Sequence, residues 1–161
     1  MLMWRRKRVK TLDRSFKTGA ALCFIFTLFI VHHGLAANGA GPILGTWLTR
    51  DRDAKISIYE CGGKKYCGKI VWVKDGPKTD EKNPDAALRN RPVLGLEIMK
   101  GFSYEGKNRW AGGRLYDPKS GNTYRGVMRF EPPNRLRLRG YVLLPLFGRT
   151  DTWTKMEGPD R

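Results

Sequence analysis

Short segments in which apolar and polar residues alternate run through this chain from residue 45 onward. Each segment ends in turn-forming residues, and none keeps the period of a helix. The pattern predicts an all-β domain with strands at residues 45–50, 55–61, 66–73, 95–104, 109–116, 123–131, 135–144 and 149–156. Because closure removes exposed sheet edges, we expect a single antiparallel up-and-down β-barrel of about eight strands. A barrel of this size is either filled by side chains or holds one small ligand.

One connection between the predicted strands is long and polar. Residues 74–92 contain only one segment, Pro84 to Leu88, that suits a turn of helix. Connections of this length in compact domains are usually functional or mobile, and the alternative is a surface excursion without a role.

The first 36 residues differ in composition from the rest. Seven basic residues precede the apolar run from Gly19 to Val31, and small residues follow at Gly34 and Ala36. This layout predicts a secretory signal peptide that is cleaved near Ala36, and hence a periplasmic or secreted protein. The alternative is a retained membrane anchor, although the apolar run is shorter than the roughly 20 residues of a spanning helix. The predicted organisation is a signal peptide (1–36), a short linker (37–44), a β-barrel domain (45–157) and a C-terminal tail (158–161).

The predicted mature chain is strongly basic. Without residues 1–36 it keeps 24 Lys and Arg against 14 Asp and Glu, a net charge of +10. This balance favours acidic partners such as anionic envelope components, and the alternative is a solvated surface that keeps the protein soluble.

The only histidines, His32 and His33, lie in the predicted signal peptide. Without them the chain has no Ser-His or Cys-His nucleophile and no His-based metal site. The sequence therefore predicts a protein that is not an enzyme, with no catalytic residues, no metal and no cofactor. Asp80 and Asp85 are the alternative acid and base, but carboxylates on loops are usually only solvated.

Cys61 and Cys67 are the two cysteines outside the predicted signal peptide. An even number of cysteines in an exported chain predicts a disulfide, here across the second hairpin. Their separation of six residues is too large for a C-x-x-C redox motif.

Alternation also assigns side chains to the two faces of each strand. In 123–131 the inner face has Tyr124, Met128 and Phe130, and in 135–144 it has Leu136, Leu138, Gly140 and Val142. The arginines of both strands point outward. In 109–116 the same rule places Arg114 inside with Trp110 and Tyr116. A buried charge needs a partner, and Asp151 is in phase to provide it. The alternatives are a structural ion pair, a positive pocket for an anionic ligand, or a bulge at Gly112-Gly113 that turns Arg114 outward.

Six segments also match, in order and spacing, a family known to us. They are Gly45-x-Trp47; Cys61…Cys67-Gly68-Lys69-Ile70-Val71-Trp72; Asp80…Asn83-Pro84; Trp110-x-Gly112-Gly113 with Tyr116-Asp117-Pro118, Gly121 and Tyr124; Leu138-Arg139-Gly140-Tyr141; and Phe147-Gly148-Arg149-Thr150 with Trp153. Residues 44–156 thus resemble small exported bacterial proteins grouped as domain of unknown function two-one-four-seven. The resemblance implies a lipocalin-like β-barrel in the envelope or outside the cell, and it implies no reaction. The chain departs from the family pattern at 93–94, where another cysteine is expected.

We therefore expect an exported, non-enzymatic barrel that binds a small amphipathic or anionic molecule. The predicted ligand-binding residues are Trp47, Trp72, Trp110, Arg114, Tyr116, Arg149, Asp151 and Trp153. The alternative is a basic envelope interaction protein with a solid core, which contacts anionic polymers or another protein through Arg125, Arg129, Arg135 and Arg137. Beyond the small-molecule ligand and the anionic envelope components, we expect no specific nucleic acid and no stable membrane span after processing.

Overall fold

The structure is a computed structural model that describes residues 41–75 and 78–157. The predicted signal peptide, the first half of the predicted linker and the predicted tail lie outside the described residues. The strands are β1 (Gly45–Leu48), β2 (Ala54–Glu60), β3 (Lys65–Val73), β4 (Glu97–Tyr104), β5 (Arg109–Asp117), β6 (Asn122–Glu131), β7 (Arg135–Tyr141) and β8 (Arg149–Lys155). Short 3-10 helices occupy Gly41–Ile43, Ala86–Leu88 and Pro145–Phe147.

Each strand pairs antiparallel with the next one along the chain, and β8 pairs with β1 to close the barrel. Trp47 faces Lys155, and Leu48 faces Thr154, across the closing pair. The predicted all-β, antiparallel, eight-stranded barrel is therefore confirmed. No helix in the described part of the chain is both long and apolar enough to span a bilayer.

The strand order gives the barrel two different ends. The connections at 49–53, 74–96, 118–121 and 142–148 lie at one end, here called the open end. The turns at 61–64, 105–108 and 132–134 lie at the other, here called the closed end, where the chain also enters β1. The predicted disulfide between Cys61 and Cys67 is confirmed, and it joins β2 to β3 at the closed end.

Large side chains fill the barrel from the closed end to its middle. Trp47, Phe102 and Trp110 are fully buried there. The Trp47 indole N–H donates to the carbonyl oxygen of Ile43 at 2.8 Å, which holds the first 3-10 helix as a plug. The Phe102 ring lies against the backbone of Gly113 and Gly126, where any added Cβ would collide with it.

Two β-bulges change the face on which the following residues lie. In β5 the register shifts between Ala111 and Gly113, and Gly112 takes a φ of +77°, which favours glycine. Trp110 stays inside, whereas Arg114 is exposed. The prediction of an inward Arg114 is therefore wrong, and so is its pairing with Asp151. The reason is the extra residue at Gly112, which reverses the alternation.

The second bulge explains the outward position of Trp72. The register of β2 against β3 shifts between Lys55 and Ile56, and Val71 has no partner there. Ile70 stays inside, but Trp72 lies outside and is 39% exposed, with the Lys55 ammonium 5.6 Å from its ring centroid. The predicted inward position of Trp72 is wrong for the same reason as that of Arg114.

Strand β7 is shorter than predicted. It ends at Tyr141 rather than at residue 144, and Val142 is 68% exposed instead of facing inward. The backbone leaves the sheet here because the Arg139 guanidinium donates to the carbonyl oxygens of Pro145 and Leu146. These bonds fold residues 142–147 into a loop outside the sheet.

Candidate functional site

The open end encloses a cavity of about 1190 Å³. Its wall is mostly apolar and comes from the inner faces of six strands and from the β3–β4 connection, with side chains Ala54, Ile56, Ile70, Val73, Val93, Ile98, Leu115, Leu138 and Trp153. Polar and charged side chains lie toward the mouth, among them Asp53, Lys119, Tyr124, Arg149 and Asp151. The barrel is therefore solid at one end and hollow at the other.

Strand β8 supplies the largest ring of the wall and fixes it. The Trp153 indole N–H donates to Oδ2 of Asp151 at 2.7 Å, and Oδ1 of Asp151 accepts from the backbone N–H of Thr152 at 2.8 Å. Arg149, two residues before Asp151, is exposed at the mouth. Among the residues that the structure describes, Arg149 forms no ion pair, so its guanidinium is available to a ligand.

An ion pair braces the rim of the cavity. The Lys119 ammonium lies 2.5 Å from Oδ2 of Asp53 and links the β5–β6 turn to the β1–β2 turn. Burial alone would raise the pKa of Asp53, but hydrogen bonds from Lys119 and Thr49 lower it below its ordinary value of 3.8. The pKa of Lys119 is raised, chiefly by its hydrogen bond to Asp53.

The long β3–β4 connection is fixed to the barrel by a buried polar network around Asp80, here called the latch. Asp80 is fully buried and accepts three different side chains: Arg91 at 2.7 Å, Asn83 at 2.7 Å and Tyr116 at 2.6 Å. Asn83 also donates to the Tyr116 hydroxyl at 3.1 Å. Next to the latch, Gly121 lies so close to the backbone of Lys82 that no larger residue fits.

The latch stabilises the charged form of Asp80. Burial alone would raise the pKa of Asp80, but hydrogen bonds from Tyr116, Asn83 and Arg91 together hold it below its ordinary value of 3.8. Burial and the bond to Asp80 raise the pKa of the Tyr116 hydroxyl. Asp80 is thus an ionised structural carboxylate. Asp85 caps the short helix Ala86–Leu88 through Ala87 N–H instead.

Four of the eight predicted ligand-binding residues line the cavity, namely Tyr116, Arg149, Asp151 and Trp153. Tyr116 does so as part of the latch. Trp47 and Trp110 belong to the solid core of the closed end, where Tyr104 packs over Trp110 with ring centroids 5.0 Å apart. Trp72 and Arg114 lie outside the barrel. The predicted residues therefore do not form a single site.

Sequence reasoning missed most of the apolar wall and the rim. Leu115 had no inward signal, because alternation from Trp110 places it outside and only the bulge at Gly112 turns it inward. Ile56, Ile70 and Leu138 had the signal, since each is an apolar residue in an alternating strand. Alternation places such residues inside without showing whether they border a core or a cavity. The ion pair between Asp53 and Lys119 joins residues 66 positions apart and had no local signal.

Nowhere among residues 41–75 and 78–157 do three or more His, Cys, Asp or Glu side chains gather as a metal site would require. The chemistry that the cavity offers is thus apolar contact, a fixed indole ring, hydroxyl groups, and charged side chains at the mouth that include the guanidinium groups of Arg50 and Arg149.

Comparison with known proteins agrees with the barrel fold. Residues 45–155 match the family described as "Uncharacterized protein conserved in bacteria (DUF2147)". A solved structure of protein HP1028 from Helicobacter pylori, described as belonging to the lipocalin family, aligns with a TM-score of 0.64 and 24% sequence identity. The alignment covers 71% of this chain and 82% of that chain. A search of curated proteins finds no match.

Proposed function

The chain belongs to the DUF2147 family of uncharacterized proteins conserved in bacteria, and we propose that its barrel is an exported, non-enzymatic carrier of a small amphipathic molecule with an anionic head group. The observation that carries this proposal is the cavity of about 1190 Å³ at the open end. Ligand pockets for small molecules commonly have volumes of roughly 300–1,000 Å³ and mostly apolar walls. This cavity is somewhat larger than that range and has a mostly apolar wall, so it has room for one ligand of this kind.

The distribution of polarity within the cavity indicates an amphipathic ligand. Ile56, Ile70, Leu138 and Trp153 form the wall, and an alkyl chain or ring gains free energy by leaving water there. Arg149 lies at the mouth without a carboxylate partner in the described part of the chain. A guanidinium binds a carboxylate or phosphate through charge-assisted hydrogen bonds, so we assign the head group to Arg149.

This assignment revises the predicted anion-binding residue. Arg114 lies outside the barrel and cannot reach a ligand in the cavity. Arg149 takes that role in the proposal, while Tyr116 acts through the latch. The alternative with a solid core is not supported at the open end, but its basic exterior remains available to anionic partners.

A cavity-blocking variant tests the proposal. Gly140 borders the cavity, and a Cβ built there would lie 3.4 Å from Cβ of Tyr124 and 3.7 Å from Cδ1 of Leu115, both ordinary contacts. Gly140→Leu therefore places an alkyl group into the cavity, and the Cβ at this position has only side-chain atoms as its nearest neighbours. We expect a long-chain fatty acid, titrated by calorimetry, to bind the parent chain and to lose measurable binding to Gly140→Leu.

Two further variants locate the head group. Arg149→Leu is expected to weaken fatty-acid binding about tenfold, the effect of losing one exposed charge-assisted contact. Leu143→Ser, on the exposed loop and outside the cavity, is the matched control and should leave binding unchanged. Equal binding by the parent chain and Gly140→Leu, with unchanged melting temperatures, would place the ligand elsewhere and refute the proposal.

Native mass spectrometry of protein isolated from its own cell envelope provides an independent test. We expect a co-purifying molecule of low mass with an acidic group, and we expect it to be absent from Gly140→Leu. A co-purifying molecule that Gly140→Leu retains would contradict the assignment to the cavity.

A further inference from the structure

Residues 142–147, here called the apolar loop, present five large apolar side chains to water at the open end. Val142, Leu143, Leu144, Leu146 and Phe147 are 68%, 80%, 57%, 78% and 79% exposed. Only four other large apolar side chains are exposed in the described part of the chain, and none of them is more than 51% exposed. Contiguous exposed apolar groups of this kind mark contact with a protein or a membrane.

The backbone of the apolar loop is held in a fixed conformation. Besides its bonds to the carbonyl oxygens of Pro145 and Leu146, the Arg139 guanidinium donates to Oγ1 of Thr150 at 2.7 Å. A 3-10 turn closes the loop through a bond from Phe147 N–H to the carbonyl oxygen of Leu144 at 3.1 Å. The backbone polar groups are directed to Arg139, and the apolar side chains are left on the outer surface.

A row of cations leads to the base of this loop. Lys100, Arg114 and Arg125 are direct partners across β4, β5 and β6, and Arg125 is in turn paired with Tyr141, the residue before the loop. All three side chains are exposed. We call Lys100, Arg114 and Arg125 the basic row.

The basic row lacks the carboxylates that accompany Arg109 and Arg137 on the barrel. Arg109 pairs with Glu105, and Arg137 pairs with Glu131. Among described residues Arg114 and Arg125 have no ion pair, and Lys100 has only a 3.9 Å contact with Glu97. Like charges directly opposite each other destabilise a sheet, with Cβ atoms about 4.5–5.5 Å apart. An anionic partner would relieve this repulsion.

We propose that the apolar loop and the basic row together dock the open end of the barrel on a bilayer that contains anionic lipids. The apolar loop enters the boundary between head groups and acyl chains, where exposed Leu and Phe side chains leave water. The basic row then contacts the lipid phosphate groups beside the apolar loop, because their negative charge complements its positive charge. This docking surface shares Val142 and Phe147 with the mouth of the cavity, and its other residues do not line the cavity.

The test must report on the loop itself, because residues 1–36 carry their own basic and apolar runs. In the full chain, Phe147→Trp places an added indole on the loop, and Arg135→Trp places one on an exposed strand position at the closed end. Vesicles of phosphatidylglycerol and phosphatidylethanolamine with brominated acyl chains quench only indoles that enter the bilayer. We expect added quenching relative to the parent chain for Phe147→Trp and none for Arg135→Trp.

Charge variants test the basic row. Arg114→Ser with Arg125→Ser is expected to lower partitioning onto these vesicles about thirtyfold, since each basic residue near an anionic surface contributes about fivefold. The control, Arg129→Ser with Arg135→Ser, removes the same charge elsewhere and should change partitioning less than about threefold. Equal effects of the two pairs would show that net charge alone attracts the protein and would overturn the role of the basic row.

In the Phe147→Trp chain, adding Leu143→Asp and Leu146→Asp should abolish the added quenching while leaving the melting temperature unchanged, because both leucine side chains are exposed to water in the free protein. Three results would overturn the proposal: no quenching of Phe147→Trp, equal quenching of Arg135→Trp, or a dimer in sedimentation velocity that the two aspartates dissociate. The last result would assign the apolar loop to a second copy of this chain. Fatty-acid binding by Gly140→Leu is a separate readout, so failure here leaves the proposed function standing.

Discussion

The two ends of the barrel use the same eight strands, yet one end is solid and the other is hollow. At the closed end Phe102 lies directly on Gly113 and Gly126, and two tryptophans fill the remaining space. At the open end the inner faces carry smaller side chains such as Ala54, Ile70 and Gly140, and a cavity remains. The position of a few large rings thus separates a region that stabilises the fold from one that contains a cavity.

The largest difference between the two ends should appear when a large and a small inward side chain are truncated. Phe102→Ala removes a fully buried ring and should lower the free energy of unfolding by about 3–5 kcal/mol. Leu115→Ala, at the cavity wall, enlarges a space that already exists and should cost about 1 kcal/mol. Urea unfolding followed by fluorescence measures both. Equal losses would show that the open end is packed as tightly as the closed end.

The two ends are also stabilised by different interactions, a buried polar network at the open end and a disulfide at the closed end. Asp80→Asn breaks the latch and should lower the free energy of unfolding by about 2–3 kcal/mol at neutral pH, less than for a fully buried pair because Arg91 is 34% exposed. Asp85→Asn changes an exposed helix cap on the same connection and should cost less than about 1 kcal/mol.

Acid should remove the difference in stability between the parent chain and Asp80→Asn. Because the pKa of Asp80 in the folded protein lies below its ordinary value of 3.8, the ionised latch stabilises the fold above that value. The stabilisation is lost as the pH falls below 3.8 and through the lowered pKa. Parent and Asp80→Asn should therefore converge in melting temperature under acid. A gap that stays constant down to low pH would mean that Asp80 stabilises the fold without its charge.

The closed end is fastened by a covalent bond instead. Cys61→Ala with Cys67→Ala opens the disulfide and should lower the free energy of unfolding by about 2–2.5 kcal/mol, the chain-entropy value for so small a ring. The change should leave fatty-acid binding at the open end intact. Mass analysis that shows two free thiols in the isolated protein would contradict this prediction.

Most of the fold follows from alternation, and the two site residues assigned to the wrong face of a strand share one physical cause. Strands β6 and β7 keep strict alternation, and both were predicted within a few residues. Arg114 and Trp72 were assigned to the wrong face because one extra residue, Gly112 in β5 and Val71 in β3, reverses the faces beyond it. A bulge leaves no periodic signal in the sequence. The pair Gly112-Gly113 indicated that a bulge was possible there, but it did not establish on which face Arg114 lies.

The candidate site was less predictable than the fold for a different reason. Alternation identifies Trp47, Trp110 and Trp153 equally as inward residues, but only Trp153 borders the cavity. Which inward residue faces a void depends on where Phe102 projects, and that follows from strand register rather than from local sequence. The latch also joins Asp80 to Tyr116 across 36 positions, so only the folded chain brings them together.

The smallest expected change in stability comes from adding one methyl group at each end of the barrel. It is also the most direct comparison of the two ends, because the chemical change is the same at both. Gly126→Ala puts a methyl group where the Phe102 ring already lies, and overpacking of this kind should cost about 2 kcal/mol. Gly140→Ala puts the same methyl group into the cavity at ordinary contact distances and should change the free energy of unfolding by less than about 0.5 kcal/mol. Both glycines lie in strands and neither has a positive φ, so backbone strain does not separate them. Chemical unfolding of the two variants measures the difference directly. If both substitutions cost the same, the open end is as full as the closed end, and the carrier function loses its physical basis.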